Sequence, residues 1–301
     1  VSRRHSCTIP TVDAPRFPRN EGRRLGAYQV LAPIAKGGMG GVYLGADSSG
    51  TKVAIKVLDP HYASHADIVQ RMFAEHTVSS KVSHPGLLQV HAAARAADGM
   101  PFLVMEYLDG ENLGALADRG QLEIDAITAI GTQIATALCV LHDAGIIHCD
   151  IKLDNIFVLY QSGPGGWPRV KVIDYGVAKL VDEPPIDDNG IAGTPACMPP
   201  EQWRGTVTIK SDVYALGCLL YELVCGETVF QGTLPQLMLA HSEKRPARLS
   251  WLRKNVGGGL EWLILRALSK DPGMRPTMKE MATELLQLMQ QHTASILEAT
   301  G

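Results

Sequence analysis

The 301-residue sequence has little excess charge of either sign: 28 lysines and arginines stand against 31 aspartates and glutamates, a formal net charge of −3. That balance offers no broad field for a polyanion, so any anion site must be local and no nucleic-acid partner is expected. Cysteine is also sparse. Cys7, Cys139, Cys149, Cys197, Cys218 and Cys225 form no CxxC pair and no zinc-like cluster with histidine. They read as reduced thiols in a reducing compartment rather than as a disulfide framework. Long apolar runs are missing too. The longest candidate, Val213 to Cys225, contains Glu222 and falls short of the roughly 18–20 residues of a membrane span, so it reads as a buried helix. The N-terminus is polar and basic with no apolar core behind it, unlike a signal peptide. These absences together predict a soluble, cytoplasmic chain with no membrane span.

What is present suits a globular protein with a substantial core: 46% hydrophobic and 20% charged residues, and length enough for one two-lobed domain or two smaller ones. Residues 1–24 hold six arginines and three prolines with little apolar content, which predicts a flexible basic tail. From Tyr28 to about Glu106, short apolar runs (Tyr28 to Ile34, Val42 to Ala46, Lys52 to Leu58, Phe102 to Glu106) read as strands. Between them Ala66 to Val82 reads as one helix. After Asn112 the pattern turns to long helical stretches, Ile124 to Ala144, Ser211 to Cys225, Leu260 to Ser269 and Met278 to Gln291. Two lobes are expected, about 25–106 and 109–292, joined at Glu106 to Gly110, with 293–301 a short tail.

Three features carry chemistry. Gly37, Gly38, Gly40 and Gly41 crowd a turn between two predicted strands, where a bare backbone could approach phosphates and present its N–H groups. Glycine also serves any tight turn, and no GK[ST] or helix follows as in a Walker loop. Lys56 stands inside the apolar strand Val53-Ala54-Ile55-Lys56; it either reaches solvent or is matched by a carboxylate such as Glu75 on the next helix. The strongest feature is His148-Cys149-Asp150-Ile151-Lys152-Leu153-Asp154-Asn155, followed by Asp174-Tyr175-Gly176 after the run Val170 to Ile173. Its acids and amide can supply one base and two hard oxygen ligands for a metal such as Mg²⁺.

This ordered series resembles the eukaryotic-type protein kinases from about Tyr28 to Met289, and the phrasing of Gly37-Gly38-Met39-Gly40 and Pro199-Pro200-Glu201-Gln202-Trp203 is most similar to their bacterial serine/threonine branch. The resemblance implies an α+β, two-lobed kinase fold, a small antiparallel β lobe with one main helix and a larger, mostly helical lobe. It implies ATP and Mg²⁺ as cofactors and proteins with serine or threonine as substrates. By the same resemblance Lys56, paired with Glu75, positions the α- and β-phosphates; Asp150 takes or orients the hydroxyl proton and Lys152 steadies the γ-phosphate; Asn155 and Asp174 hold the metal. Ile34, Gly37, Gly38, Met39 and Gly40 belong to the loop over the phosphates. Val42, Ala54, Met105 and Phe157 would surround the adenine, and Glu106 to Leu108 would bond it through the backbone. Asp212 would brace the catalytic loop, Arg275 would pair with Glu201, and Gly193-Thr194-Pro195 would dock the peptide. Lys152, two residues after Asp150, is the serine/threonine pattern.

The sequence departs from that pattern at four places. Ala35 replaces the first glycine of GxGxxG, with at most a modest loss of ATP affinity expected. Tyr175 replaces a phenylalanine of similar bulk. Cys149 stands where regulated kinases carry an arginine that forks onto an activation-loop phosphate, and Val177 to Gly193 contains no Ser, Thr or Tyr but has Asp182, Glu183, Asp187 and Asp188. Receptor and phosphate site are missing together, which predicts activity without activation-loop phosphorylation. The Gly/Pro-rich insert Gln161 to Arg169 is expected to lengthen a surface hairpin. Two rival readings, a non-catalytic pseudokinase and a small-molecule phosphotransferase, are opposed by the retention of Lys56, Asp150 and Asp174 and by the peptide-docking and Glu201/Arg275 features.

Overall fold

The computed structural model describes residues 20–163, 166–181 and 193–300. Chain order begins β1 (Arg24–Leu25), β2 (Tyr28–Gly37), β3 (Gly40–Ala46), β4 (Lys52–Leu58), α1 (Ala66–Lys81), β5 (Val90–Arg95) and β6 (Pro101–Glu106). The strands form one antiparallel sheet in the order β1-β2-β3-β4-β6-β5. Period-two alternation sorts the side chains of β4 onto two faces. Val53, Ile55 and Val57 pack with Leu25, Val30, Tyr43, Phe102 and Val104 in a small outer core. Ala54 and Leu58 face the other way, toward Leu103, Met105 and the buried Val69, Met72 and Val78 of α1. Lys56 falls on this second face by register, and so points between the sheet and α1.

The chain leaves this sheet after Glu106 and enters a second one at β7 (Gly110–Asn112). Then come α2 (Leu113–Asp118), α3 (Ile124–Asp143), β8 (Ile146–Ile147), β9 (Ile156–Leu159), β10 (Arg169–Val172), β11 (Lys179–Leu180), α4 (Ile209–Cys225), α5 (Leu234–Glu243), α6 (Leu249–Leu252), α7 (Gly258–Ala267) and α8 (Met278–Thr300). Two small sheets, β10-β9-β7 and β11-β8, lie on the helical lobe. The long apolar run predicted as a buried helix is α4, entered through a Thr208/Ser211 capping box and ended by Gly226 at φ 74°. Its residues from Ser211 to Tyr221 are all buried, with α3, α7 and α8 around it.

Several expectations shift. Asn20 to Arg24, placed in the tail, are folded: Asn20 is buried, Arg23 Nη1 donates to Asn20 Oδ1 at 3.1 Å, and Gly22 N donates to Val30 O at 2.9 Å. Residues 1–19 lie outside the described residues. At the other end α8 continues to Thr300 instead of stopping near 292. Contrary to the reading of apolar runs, one described helix, α3, is long and apolar enough to cross a membrane by length and composition. Thr128, Thr132, Gln133 and Thr136 interrupt its apolar run, so counting consecutive residues overlooks it. Their polar groups bond to carbonyls one turn back, while Ile127, Ile130, Ile134, Leu138 and Leu141 are fully buried in the helical lobe. The insert does lengthen the β9–β10 hairpin: Leu159 pairs with Arg169, Gly163 N donates to Trp167 O at 2.8 Å, and Gln133 Nε2 on α3 donates to Pro168 O at 2.7 Å.

Candidate active site

Backbone strain marks the cleft. Among the described residues the non-glycine positions with positive φ are Cys149 and Asp174, both at 67°, in the two loops that face the gap between the lobes. Such conformations persist only where surrounding bonds over-determine them. Cys149 is fixed from both sides. Asp212, at the start of α4 and fully buried, accepts from the backbone N–H groups of His148 and Cys149, each at 2.9 Å, and from His142 Nε2 at 2.8 Å. Burial alone would raise its pKa, but these bonds and the nearby histidines hold the carboxyl below the usual range. Gln202 Nε2 donates to Cys149 O at 3.0 Å.

That bracing presents Asp150, Lys152 and Asn155 together. Asp150 Oδ2 accepts from Asn155 Nδ2 at 2.9 Å and lies 2.9 Å from Lys152 Nζ. Asn155 Nδ2 also reaches Asp150 O at 2.8 Å, which leaves the amide oxygen of Asn155 unspent on that side. Thr194 Oγ1 donates to Asp150 Oδ1 at 2.7 Å and accepts from Lys152 Nζ at 3.0 Å. Sequence reasoning gave Thr194 only a docking role; its threonine hydroxyl three residues before the buried Cys197 carries no local signal of this bridge.

On the opposite wall Lys56 Nζ lies 2.6 Å from Glu75 Oε1 and 4.0 Å from Asp174 Oδ1. Burial alone would lower the pKa of this ammonium, but Glu75 and then Asp174 raise it above the ordinary lysine value. Asp174 is likewise pushed up by burial and pulled lower, on balance, by Lys56 and by the Gly176 N–H, which donates to Oδ1 at 3.1 Å. Asp174 therefore offers a charged, half-exposed carboxylate whose second oxygen is free of that bond. With the amide oxygen of Asn155 it makes a set of hard oxygen donors that suits a small divalent cation completed by phosphate and water. Tyr175 is buried, and its hydroxyl donates to Leu88 O at 3.2 Å. The tyrosine thus keeps the bulk of phenylalanine and adds a bond to the loop between α1 and β5.

The remaining predicted residues are placed as follows. Ala54 and Met105 are cross-strand partners and buried; Val42 and Leu108 are partly buried against the same core; Phe157 is half-buried on β9 of the helical lobe. Glu106 is pinned at the joint, its N–H donating to Gln89 O at 3.0 Å. Ile34 and Met39 are not gathered into this cluster and stand 48% and 54% exposed. Gly37, Gly38 and Gly40 form the β2–β3 turn. A Cβ on Gly38 would meet nothing within 4 Å, whereas one on Gly40 would sit 2.1 Å from Val57 O. Gly40 is thus required by the approach of β4, a reason the motif alone did not reveal. Ala35 pairs with Val42 just past a register shift at Pro33, and its φ is not in the left-handed region, so its methyl needs no strained backbone.

Below the cleft, Arg275 Nη1 and Nη2 meet Glu201 Oε1 and Oε2 at 2.6 and 2.8 Å in a two-point pair. The acids Asp182, Glu183, Asp187 and Asp188 lie outside the described residues.

A cleft between a β lobe and a helical lobe, with a paired lysine on one wall and a braced carboxylate–lysine–amide set on the other, defines a phosphotransferase. The chain belongs to the protein kinase domain family, which it matches over residues 28–287. It is 38% identical over 257 residues to the serine/threonine-protein kinase Pkn1 of Myxococcus xanthus, covering 83% of this chain and 36% of that one. It is 33% identical over 272 residues to the serine/threonine-protein kinase PrkC of Bacillus subtilis, covering 88% and 41%. The crystal structure of the Mycobacterium tuberculosis PknI kinase domain superposes with a TM-score of 0.69 at 26% identity, over 89% of this chain and 98% of that one. The chain is a kinase domain of the bacterial, eukaryotic-type serine/threonine class, a class that uses ATP and a divalent metal. It spans well under half the length of Pkn1 and PrkC.

Proposed function

We propose that this chain is a catalytically active kinase domain that transfers the γ-phosphate of ATP, with Mg²⁺, to serine or threonine hydroxyls of proteins. The observation that carries this reading is the environment of Asp150. Each carboxylate oxygen has about two lone-pair sites. Oδ2 already serves Asn155 and Lys152, while Oδ1 serves Thr194 alone. The open site on Oδ1 is where an incoming hydroxyl would donate its proton, oriented for in-line attack. Lys152, beside it, would offset charge on the transferred group, and Lys56, held by Glu75, would fix the other phosphates as a compact point charge. Asn155 and Asp174 would hold Mg²⁺, which supplies charge neutralisation of the phosphates when bound. The backbone of Glu106 to Leu108 would take the adenine edge, between Val42, Ala54 and Met105 on one side and Phe157 on the other.

The same geometry supports activity without activation-loop phosphorylation. Cys149 is buried and its thiol is pushed far above the usual value by burial and Asp212, so it is neutral and cannot bind a phosphate. The catalytic loop is instead held by Asp212 and Gln202 through the Cys149 backbone. The five described cysteines are free thiols, which suits a cytoplasmic setting for the domain. Incubation with γ-labelled ATP, Mg²⁺ and a generic basic protein tests the proposal. Phosphoserine or phosphothreonine in the product is expected; label on tyrosine alone, or none from folded protein that binds ATP, would overturn it.

A further inference from the structure

Lys171 poses the puzzle that Lys56 posed, an ammonium inside an apolar strand, but nothing in the catalytic scheme uses it. It lies on β10 of the helical lobe and is 8% exposed. Its Nζ donates to Glu106 Oε1 at 2.7 Å and to Leu87 O at 3.2 Å. Glu106 Oε1 also accepts from Gln89 N at 2.8 Å, and Glu106 N donates to Gln89 O. The loop carrying Leu87 and Gln89 is bonded in turn to β10: Leu88 N donates to Val172 O at 3.0 Å and Val172 N to Gly86 O at 2.8 Å. Tyr175 adds its bond to Leu88 O. One ammonium therefore sits where three segments meet: the joint between the lobes, the α1–β5 loop, and the strand that leads to Asp174.

We propose that Lys171 is a positioning residue for nucleotide binding, setting the placement of the Glu106–Leu108 backbone against the adenine; this rests on the kinase reading above. The physical reason is directional. The Glu106 side chain and N–H are both spent on fixed partners, so the orientation of its peptide follows from where Lys171 and Gln89 hold it. Without the ammonium, the partly buried carboxylate loses its countercharge and keeps only the Gln89 N–H, the Leu87 carbonyl loses the bond from Nζ, and Glu106 turns toward water to recover solvation. The strand register of β10, fixed by backbone bonds to β9 and to residues 86–88, remains. The loss therefore falls on the joint and not on Asp150, which is braced separately from α4.

The test uses the full chain and a non-hydrolysable ATP analogue with MgCl₂, titrated by calorimetry, alongside steady-state kinetics and thermal unfolding. Lys171→Met is expected to weaken analogue binding and raise KM for ATP by about tenfold, with kcat and the KM for protein substrate within about twofold of wild type. Lys171→Arg is expected to restore binding to within about threefold, since it keeps the charge and a cavity of about 400 Å³ bordered by Lys171 and Glu106 leaves room for the guanidinium. Folded Lys171→Met with unchanged affinity would overturn the proposal, leaving a structural tie. A raised kcat at unchanged KM would overturn it too, because the pair would then restrain lobe motion. Should Lys171→Met fail to fold, Glu106→Gln decides: binding weakened by about threefold supports the proposal and unchanged binding refutes it. Wild-type protein that binds the analogue but transfers no phosphate would sink the kinase reading while leaving this comparison intact.

Discussion

Lys56 and Glu75 meet at 2.6 Å across the space between β4 and α1, with Glu75 almost fully buried and Asp174 4.0 Å from the same ammonium. β4 and α1 supply one partner each, so the packing of that helix on the sheet sets the pair. Lys56→Met is expected to lower kcat/KM by about 10²-fold or more, since it removes a preorganised charge from the phosphate site. It also strands a buried carboxylate, for which urea unfolding should show a loss of up to about 3 kcal/mol. Glu75→Gln should lower activity less than Lys56→Met, because the ammonium remains. Equal activity of wild type and Lys56→Met would remove the lysine from the site.

Arg275 is 2% exposed and spends its guanidinium completely: on Glu201, and on the carbonyls of Ser269, Lys210 and Lys270 at 2.8, 2.9 and 3.1 Å. Arg275→Leu should cost about 3–5 kcal/mol in urea unfolding, the usual consequence of breaking one side of a buried pair. Arg275→Lys should recover only part, because an ammonium cannot reproduce the fork. A loss below about 1 kcal/mol for the leucine variant would place the pair among weak surface bridges.

Lys270 is a half-buried ammonium with no carboxylate partner among the described residues; it meets Tyr214 Oη at 3.4 Å, Ala240 O at 3.3 Å and the rings of Phe230 and Tyr214 at 4.7 and 5.7 Å. Burial brings its pKa down to about 8. The unfolded chain keeps that proton to roughly pH 10.4. Between those two values the unfolded state holds more protons, so the contribution of Lys270 to stability rises with pH across that window and is least favourable below it. Lys270→Met should therefore melt higher than wild type at pH 7, with the gap narrowing from pH 8 toward pH 10. A gap that stays constant across that range would contradict the assignment.

Activation should not require phosphorylation of residues 177–193, which contain no hydroxyl side chain. Phosphatase-treated protein is expected to retain transfer activity within about twofold of untreated protein, since Cys149 offers no guanidinium to fork onto a phosphate. Loss of activity on treatment, regained when the chain is rephosphorylated, would contradict this.

Much of this fold was legible because its chemistry is local. The strands around Tyr43, Lys56 and Met105, the helix through Glu75, and the helices α3, α4, α7 and α8 announce themselves by apolar period, and the order of lysine, acids and amide marks the cleft. What escaped depends on distant partners. β5, Val-His-Ala-Ala-Ala-Arg in residues 90–95, has no β-branched pattern beyond its first residue and is a strand because β6 lies beside it. Lys171 passes unremarked inside the run Val170 to Ile173 because its partner, Glu106, lies 65 residues away. Gln202 and Thr194 gain their roles only when the chain after residue 193 returns to the catalytic loop. The glycine turn was read for phosphate approach, yet Gly40 is demanded by the carbonyl of Val57, a contact set by sheet packing.

The most direct measurement of the central claim compares transfer of labelled γ-phosphate from MgATP by wild type and by Asp150→Asn, each checked for ATP binding. Asparagine keeps the size of the side chain and removes the carboxylate that would take the hydroxyl proton. The expected result is retained ATP binding with phosphate transfer lowered by about 10²–10⁴-fold, the range for losing a positioned general base. Transfer by Asp150→Asn at the wild-type rate would contradict the assignment of Asp150, and with it the kinase mechanism built on the bonds that hold it.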